Sequence, residues 1–456
     1  MTTMKRIVPD GTVKRLAIGL LAFCLSLTVA DRLNAQPALT KQILALTDQE
    51  YNSLENLYKH LHAHPELSLQ EKETAALLTQ TLAPTGCQIT TGVGGHGIVG
   101  IMKNGPGPVV MIRTDMDALP LKENTGVGFA SNKVARLESD KESPLMHACG
   151  HDMHMAVWIG VARVLAKLKK EWSGTVVFVG QPAEEKGLGA TAMLADGLFK
   201  KFPRPDYALA LHVNSALESA KVGICSGYVL ANIDVLDIVV KGKGGHGSVP
   251  QLTIDPIVMA SKMILGFQTI VSREISPQTP ALITVGSVHG GTNDNIIPDE
   301  VKLELSIRSF DDEVQKAVIE KVRRTCEGIA HASGVEKQNY PVVTIRKGHT
   351  PAVYNDPALA KKMTENFVKL LGEDKVVSLS AEMFGEDFGW YGRETPAIPT
   401  LIYSLGSVNP GKMADAKKTG QTIPSTHSSM YLPDYPPTLR TGVISMSSAA
   451  LSLLKK

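Results

Sequence analysis

The chain has few cysteines, no surplus of charge and, beyond its N-terminus, no long apolar run. Only 5 cysteines occur among 456 residues, and the four beyond residue 35 (Cys87, Cys149, Cys225 and Cys326) follow no framework spacing. A disulfide scaffold is thereby excluded, and at most an isolated bridge is left open. The 47 Lys and Arg side chains stand against 45 Asp and Glu, a balance of +2. Setting aside residues 1–35 removes five basic and two acidic side chains, which brings the balance to −1. No general attraction to nucleic acid or to an anionic membrane is expected. Repeats, heptads and low-complexity tracts are absent too. With 43 % hydrophobic, 20 % charged and 5 % aromatic residues, the chain reads as an ordinary globular protein of two or three domains.

The N-terminus has its own pattern. Basic residues up to Arg15 precede an apolar run from Leu16 to Ala30, followed by Leu33-Asn-Ala-Gln36. A charged start, a short apolar core and a small residue at the end predict an export signal over 1–35, cut near Ala35. The run is short for a membrane span, so the mature protein is expected to be periplasmic or secreted, without stable membrane insertion.

Beyond it, two patterns alternate. Apolar residues recur at helical spacing from Asp48 to Leu82, with a break at His64-Pro65. Strand-like runs at 109–113, 175–179 and 207–211, with a helix over 154–170, predict an α/β domain around a central, mostly parallel sheet. From residue 233 the order changes to strand 233–241, helix 256–273, strands 281–289 and 301–308, helix 311–333 and strand 341–346. That βαββαβ order is the one found in ferredoxin-like sandwiches. A helix over 357–371 and a strand at 401–403 then resume the first pattern. The expected organisation is a catalytic domain over 36–230 and 348–456, interrupted by an inserted α+β domain over 231–347.

The chemistry concentrates in a few places. His147-Ala-Cys-Gly-His-Asp-Met-His154 holds three histidines, a cysteine and an aspartate. Thiolate and imidazole suit zinc and similar divalent ions, and Cys149 and His151 can face one site if the glycine between them turns tightly. No second Cys/His pair exists for a structural zinc. A Cys149 nucleophile remains an alternative, and His154 could touch the site, support a ligand from behind or cap the helix. Glu184 and Glu185 end the run Gly180-Gln-Pro-Ala-Glu-Glu185 after a strand. Adjacent acids point in different directions, so one can bind a metal while the other acts as a base; a solvated loop is the plainer reading. His212 at a strand end and His427 in a polar loop are weak signals alone. Asp117 could orient a metal-bound histidine or merely form a turn before Pro120.

Seven motifs in order resemble the M20 metallopeptidases, specifically the amidohydrolase branch with the indole-acetyl-amino-acid hydrolases, hippurate hydrolases and N-acyl-amino-acid deacylases. They are His62-Ala-His-Pro-Glu66, Arg113-Thr-Asp-Met-Asp-Ala-Leu-Pro120, His147-Ala-Cys-Gly-His-Asp152, Gln181-Pro-Ala-Glu-Glu185, Gly244-Gly-His-Gly-Ser248, Asn295-Ile-Ile-Pro298 and Gly385-Glu-Asp-Phe388. Together they cover essentially all of the chain beyond residue 35. The resemblance implies two divalent ions per subunit (zinc, manganese, cobalt or nickel) held by Cys149, His151, Glu185, His212 and His427. It implies Glu184 as general base, with Asp117 beneath the site. It also implies that His246 of the inserted domain, often supplied by a partner subunit, stabilises the oxyanion. Asn295 and Arg308 would hold the substrate carboxylate, and His62 and His64 are taken as structural. A homodimer through the inserted domain is the corresponding partner expectation. One departure is the long, charged connection 132–143, which leads into the metal motif and bears on substrate preference.

The expected reaction is hydrolysis of the amide bond of an N-acyl amino acid. The alternatives are a carboxypeptidase or dipeptidase on short peptides, an exported binding protein of the same fold, and a Cys149 thiol hydrolase.

Overall fold

The computed structural model describes residues 12–454, with side chains from residue 38 onward. The export-signal reading of residues 1–35 therefore lies outside the described side chains. Among the described residues no helix is long and apolar enough to cross a membrane.

The larger sheet has eight strands. Its centre is the parallel set Gly174–Gln181, Val109–Asp115, Tyr207–Glu218 and Thr400–Val408, in that spatial order. The first two of these are buried along almost their whole length, as their unbroken apolar runs require of strands covered on both faces. Gly97–Asn104 and Gln88–Val93 extend one edge antiparallel, and Val222–Ile224 and Val376–Ser378 extend the other. The strand expected to close at Leu211 runs on to Glu218, so His212 sits inside it, opposite Ser404.

One helix, His151–Lys167, is sandwiched between this sheet and the helices Thr12–Ala63 and Tyr435–Leu453. Every residue from His151 to Leu165 except Arg163 is buried, and the Trp158 indole N–H donates to the Ile112 carbonyl at 3.0 Å. Each fully buried large aliphatic or aromatic side chain in such a layer contributes about 1.5–3 kcal/mol. The helix begins three residues earlier than its periodicity predicts because Gly150 adopts φ 78°. A Cβ there would meet Val213 Cγ2 at 2.6 Å, so glycine serves both the turn and the close approach. The Thr12–Ala63 helix ends just before His64-Pro65, as expected of a residue preceding proline.

The second sheet is antiparallel, in the order Ala281–His289, Glu300–Ser309, Asn232–Lys241, Val342–Ile345. Helices Pro256–Thr269 and Asp312–Ala332 cover one face and share a separate core with it. Asp255 and Asp311 cap these helices, each accepting two backbone N–H groups. The first helix is shorter than expected, because Ile270–Glu274 widens into a π turn. The chain enters and leaves this unit side by side, with Ile233 and Thr350 exchanging backbone hydrogen bonds of 2.8 and 3.2 Å.

The fold is thus α/β with an inserted ferredoxin-like α+β unit. The 132–143 connection is no open loop: Val134–Arg136 and Glu142–Pro144 pair as a hairpin. Its Glu138 reaches Lys186 at 2.5 Å, just beyond Glu184 and Glu185.

Candidate metal centre

The parallel strands point their C-terminal ends toward one side of the sheet, where α/β proteins collect functional groups. Asp115 ends one strand and Asp117 follows it, Glu184 and Glu185 follow another, and His212 lies in a third. The Gly150 turn adds Cys149 and His151 from the helix start. His427 arrives from a loop far downstream, with its N–H on the Ala148 carbonyl at 2.8 Å and φ 65°. A left-handed histidine is a sparsely populated conformation, sustained only where the surroundings hold it.

The five expected ligands do come together. Cys149 Sγ lies 3.4 Å from His212 Nε2 and 3.3 Å from His427 Nε2. His427 Nε2 is 3.5 Å from Glu185 Oε1, and His151 Nε2 is 4.0 Å from that same oxygen and 3.9 Å from Glu184 Oε2. Cys149–His151–His212 and Cys149–Glu185–His427 form two overlapping donor triads sharing the cysteine. His151 Nε2 and Glu185 Oε1 are buried without a hydrogen-bond partner. Buried polar atoms left so cost about 1–3 kcal/mol each, a cost that a cation between them removes. The donor set, soft on the thiolate and imidazole side and hard on the carboxylate side, fits divalent transition ions.

Asp117 lies beneath this cluster. Its backbone carbonyl accepts the His151 Nδ1–H at 2.8 Å, which turns the Nε2 lone pair toward the donors. Its Oδ2 accepts from Ser68 Oγ at 2.6 Å and from the Glu185 N–H at 3.0 Å. Burial opposes a charge on His151, yet Asp115, then Asp117 and Glu185 outweigh it and lift the imidazole to about 10. The excess negative potential that stabilises an imidazolium also stabilises a metal cation. Burial, and then the Glu185 and Glu184 carboxylates, push the Cys149 thiol well above its ordinary value. Such surroundings disfavour a free thiolate nucleophile and weigh against the thiol-hydrolase alternative. Burial, with Glu386 and Glu185 next, likewise raises the Glu184 carboxyl well above the usual range.

Of the residues supporting the cluster, Arg113 and its partners had no assigned role in the sequence, and His154 had several candidate ones. Arg113, buried where the apolar run of strand Val109–Asp115 ends, binds Asp115 at 2.7 Å, Glu386 at 2.7 Å, Asp387 at 3.1 Å and Gln181 at 3.0 Å. An arginine directly after a buried apolar run demands anions nearby; which ones it finds is a tertiary matter. His154 has both ring nitrogens engaged, Nδ1 with Asp115 at 2.7 Å and Nε2 accepting the Val213 N–H at 2.9 Å. It therefore braces the residue after His212 and offers no lone pair to a metal.

His62 sits between Asp152 (2.6 Å) and Glu123 (3.0 Å), and His64 is exposed against the His60 carbonyl. Burial lowers the His62 pKa, but Asp152 and Glu123 prevail and raise it to about 10. A histidine raised in the folded state stabilises fully below its unfolded pKa of about 6.5 and loses that contribution as pH climbs toward 10. The melting-temperature gap between the wild type and His62→Gln is thus expected to be widest near pH 6 and to narrow toward pH 10. A gap that does not change with pH would show that His62 is uncharged.

Residues of the inserted unit stand apart from the cluster. His246 pairs with Ile296 across a short ribbon, and the Gly247 N–H reaches the Asn295 carbonyl at 2.8 Å, so these two expected residues are neighbours. His246 is exposed, with Nδ1 taken by Ser248, and none of its contacts among the described residues reaches the ligands. Arg308 donates to the Met383 carbonyl at 2.5 Å, on the segment leading to Glu386. A groove of about 620 Å³ beside the hairpin is lined by residues such as His64, Gln70 and Lys133, and by none of the candidate ligands.

Fold and site together define a metal-dependent hydrolase of C–N bonds. Residues 111–420 match the model of peptidase family M20/M25/M40, and the chain belongs to that family. It is 36 % identical over 362 residues to an N-acetylcysteine deacetylase of Bacillus subtilis, covering 77 % of this chain and 89 % of that one. It is 36 % identical over 340 residues to a hippurate hydrolase of Campylobacter jejuni, covering 74 % and 84 %. Among solved structures it resembles a dinuclear metal-binding M20 peptidase of Bacillus subtilis, with a TM-score of 0.72 and 30 % identity over 89 % of this chain and 99 % of that one. The protein is a metallo-amidohydrolase of the amidohydrolase branch.

Proposed function

We propose that the protein hydrolyses the amide bond of small N-acyl amino acids, with Glu184 as general base. The observation that carries this reading is the placing of the adjacent acids at the donor cluster: Glu185 groups with Cys149 and His427 as well as with His151, while Glu184 approaches the five ligands through His151 and Glu185 alone. Cys149, His151, Glu185, His212 and His427 would hold two divalent ions, with zinc, manganese, cobalt and nickel all compatible with the donors. When bound, such ions supply Lewis acidity and a more acidic water. Glu184 takes a proton from the attacking water and delivers it to the leaving amine nitrogen. His246 hydrogen-bonds the carbonyl oxygen as negative charge develops there. Asn295 and Arg308 hold the substrate carboxylate.

His246 lies on an exposed ribbon, so it reaches the site by closure of the inserted unit or from a partner copy. A dimer is supported by the apolar side chains Ile257, Val258 and Leu265 on the open face of helix Pro256–Thr269. Light scattering is expected to report twice the monomer mass, and Leu265→Glu to halve it; a wild-type monomer would sink the dimer.

A second reading has support as well: the chain is 33 % identical over 403 residues to a thermostable carboxypeptidase of Saccharolobus solfataricus. Both are tested by amino acid release from N-acetyl, N-benzoyl and indole-acetyl amino acids beside dipeptides, with and without a chelator. Chelator-sensitive turnover of the acyl amino acids is expected, restored by added divalent metal. Turnover of peptides alone would favour the second reading. No turnover by folded, metal-loaded protein would leave a binding role.

A further inference from the structure

Glu71 takes no part in the scheme above, yet it reaches the loop that carries Glu184 and Glu185. It stands at the start of helix Lys72–Leu82 and is fully buried. One carboxylate oxygen, Oε1, accepts the N–H of Leu69 at 3.0 Å and the N–H of Ala183 at 2.7 Å. Both donors belong to non-glycine residues in the left-handed region, with φ 71° and 51°. That conformation is unfavourable for an L-residue and persists only where something else holds it. Ala183 directly precedes Glu184. A second strut leaves the same turn, where Ser68 Oγ binds Asp117 Oδ2, the oxygen that accepts the Glu185 N–H. The 68–71 turn therefore grips the carboxylate loop at Ala183 and again at Glu185, and Glu184 lies between the two grips.

We propose that Glu71 is a positioning residue of the active site: its carboxylate holds the left-handed turn at Ala183 and so sets where the Glu184 and Glu185 side chains point. This rests on the roles given to those two acids. Without the acceptor, the Ala183 N–H is a buried donor with no partner, and the strained turn loses its support. The nearest relief is rotation of the peptide between Pro182 and Ala183, which carries that N–H; it changes φ at Ala183 and so redirects the chain at Glu184. A misplacement of about 1 Å in a catalytic group costs about 10²-fold in rate.

The test compares Glu71→Leu, which removes the acceptor, with Glu71→Gln, whose amide oxygen can accept the same two N–H groups. Glu71→Leu is expected to lower kcat about 10²-fold while KM stays within about threefold. Glu71→Gln is expected to keep most of the wild-type kcat. A second readout needs no turnover: cobalt titrated into the metal-free full-length protein, followed by its thiolate absorption band. Glu71→Leu is expected to weaken that binding about 10-fold or more, as loss of groups behind metal ligands typically does. Adding Ala183→Gly to Glu71→Leu should recover part of both losses, because glycine takes the left-handed turn at little cost.

Should Glu71→Leu not fold, Glu71→Asp carries the test, since its carboxylate stops a methylene short of Ala183; its kcat is expected to fall at least tenfold. Wild-type kcat and cobalt affinity in Glu71→Leu, or in Glu71→Asp where that stands in, would overturn the proposal. A Glu71→Gln as impaired as Glu71→Leu would overturn it too, because charge rather than the held turn would then matter. Glu184→Gln separates the two levels. An active Glu184→Gln defeats the assigned mechanism itself, whereas an inactive one beside a normal Glu71→Leu defeats only the role of Glu71.

Discussion

Glutamine in place of Glu184 is expected to lower kcat by about 10³-fold, within the range of about 10²–10⁴ that a general acid–base group supplies. Glutamine keeps the size and hydrogen-bonding reach of the side chain but cannot take a proton at neutral pH. The surroundings are built for a proton carrier, since burial and the nearby Glu386 carboxylate hold the Glu184 carboxyl well above the usual range. Bound metal should stay at the wild-type level, because Cys149, His151, Glu185, His212 and His427 are all left in place and glutamine keeps an oxygen beside His151. Glu185→Gln should differ by losing metal along with activity. Steady-state kinetics and elemental analysis on the same preparations make the comparison. A Glu184→Gln enzyme retaining a tenth of its activity would remove Glu184 from the proton transfer.

Arg113→Met is expected to be the most destabilising single change in the catalytic unit, at about 3–5 kcal/mol, the range found when one partner of a buried ion pair is removed. Three carboxylates, those of Asp115, Glu386 and Asp387, share this one guanidinium, and all four side chains are buried. Methionine fills much of the volume but leaves Glu386 and Asp387 without their cationic partner, while Asp115 keeps only His151 and His154. Urea denaturation should show the loss as a lower midpoint with an unchanged slope. Adding Glu386→Gln should return part of it by removing one of the stranded charges. A midpoint within the scatter of surface variants would mean that the acids find another partner. The effect on activity should follow, because Asp115 braces His154 and Gln181 leads directly into the Glu184–Glu185 loop.

Much of the site was legible in the chain because its donors are local and chemically distinctive. Cys149, His151, Glu184 and Glu185 occur in two short segments at a helix start and a strand end, where α/β folds place functional groups. Alternating strand and helix periodicity was likewise enough for two sheets of different character. The misjudged boundaries, His212 inside its strand and the helix starting at His151, are local matters settled by backbone continuation and by the left-handed Gly150.

What the sequence by itself determined is therefore the identity of the chemical groups and the class of fold, since side-chain chemistry and hydrophobic periodicity are properties of short segments. The tertiary structure alone decided which groups meet. Glu386 reaches Arg113 across 273 residues, His427 reaches Cys149 across 278, and Glu71 reaches Ala183 across 112. The left-handed turns at Leu69, Ala183 and His427 belong to the same class, for no side chain there announces them. Such contacts and strained turns exist only because the closed parallel sheet and its packed helices hold distant segments together, and no local preference encodes that.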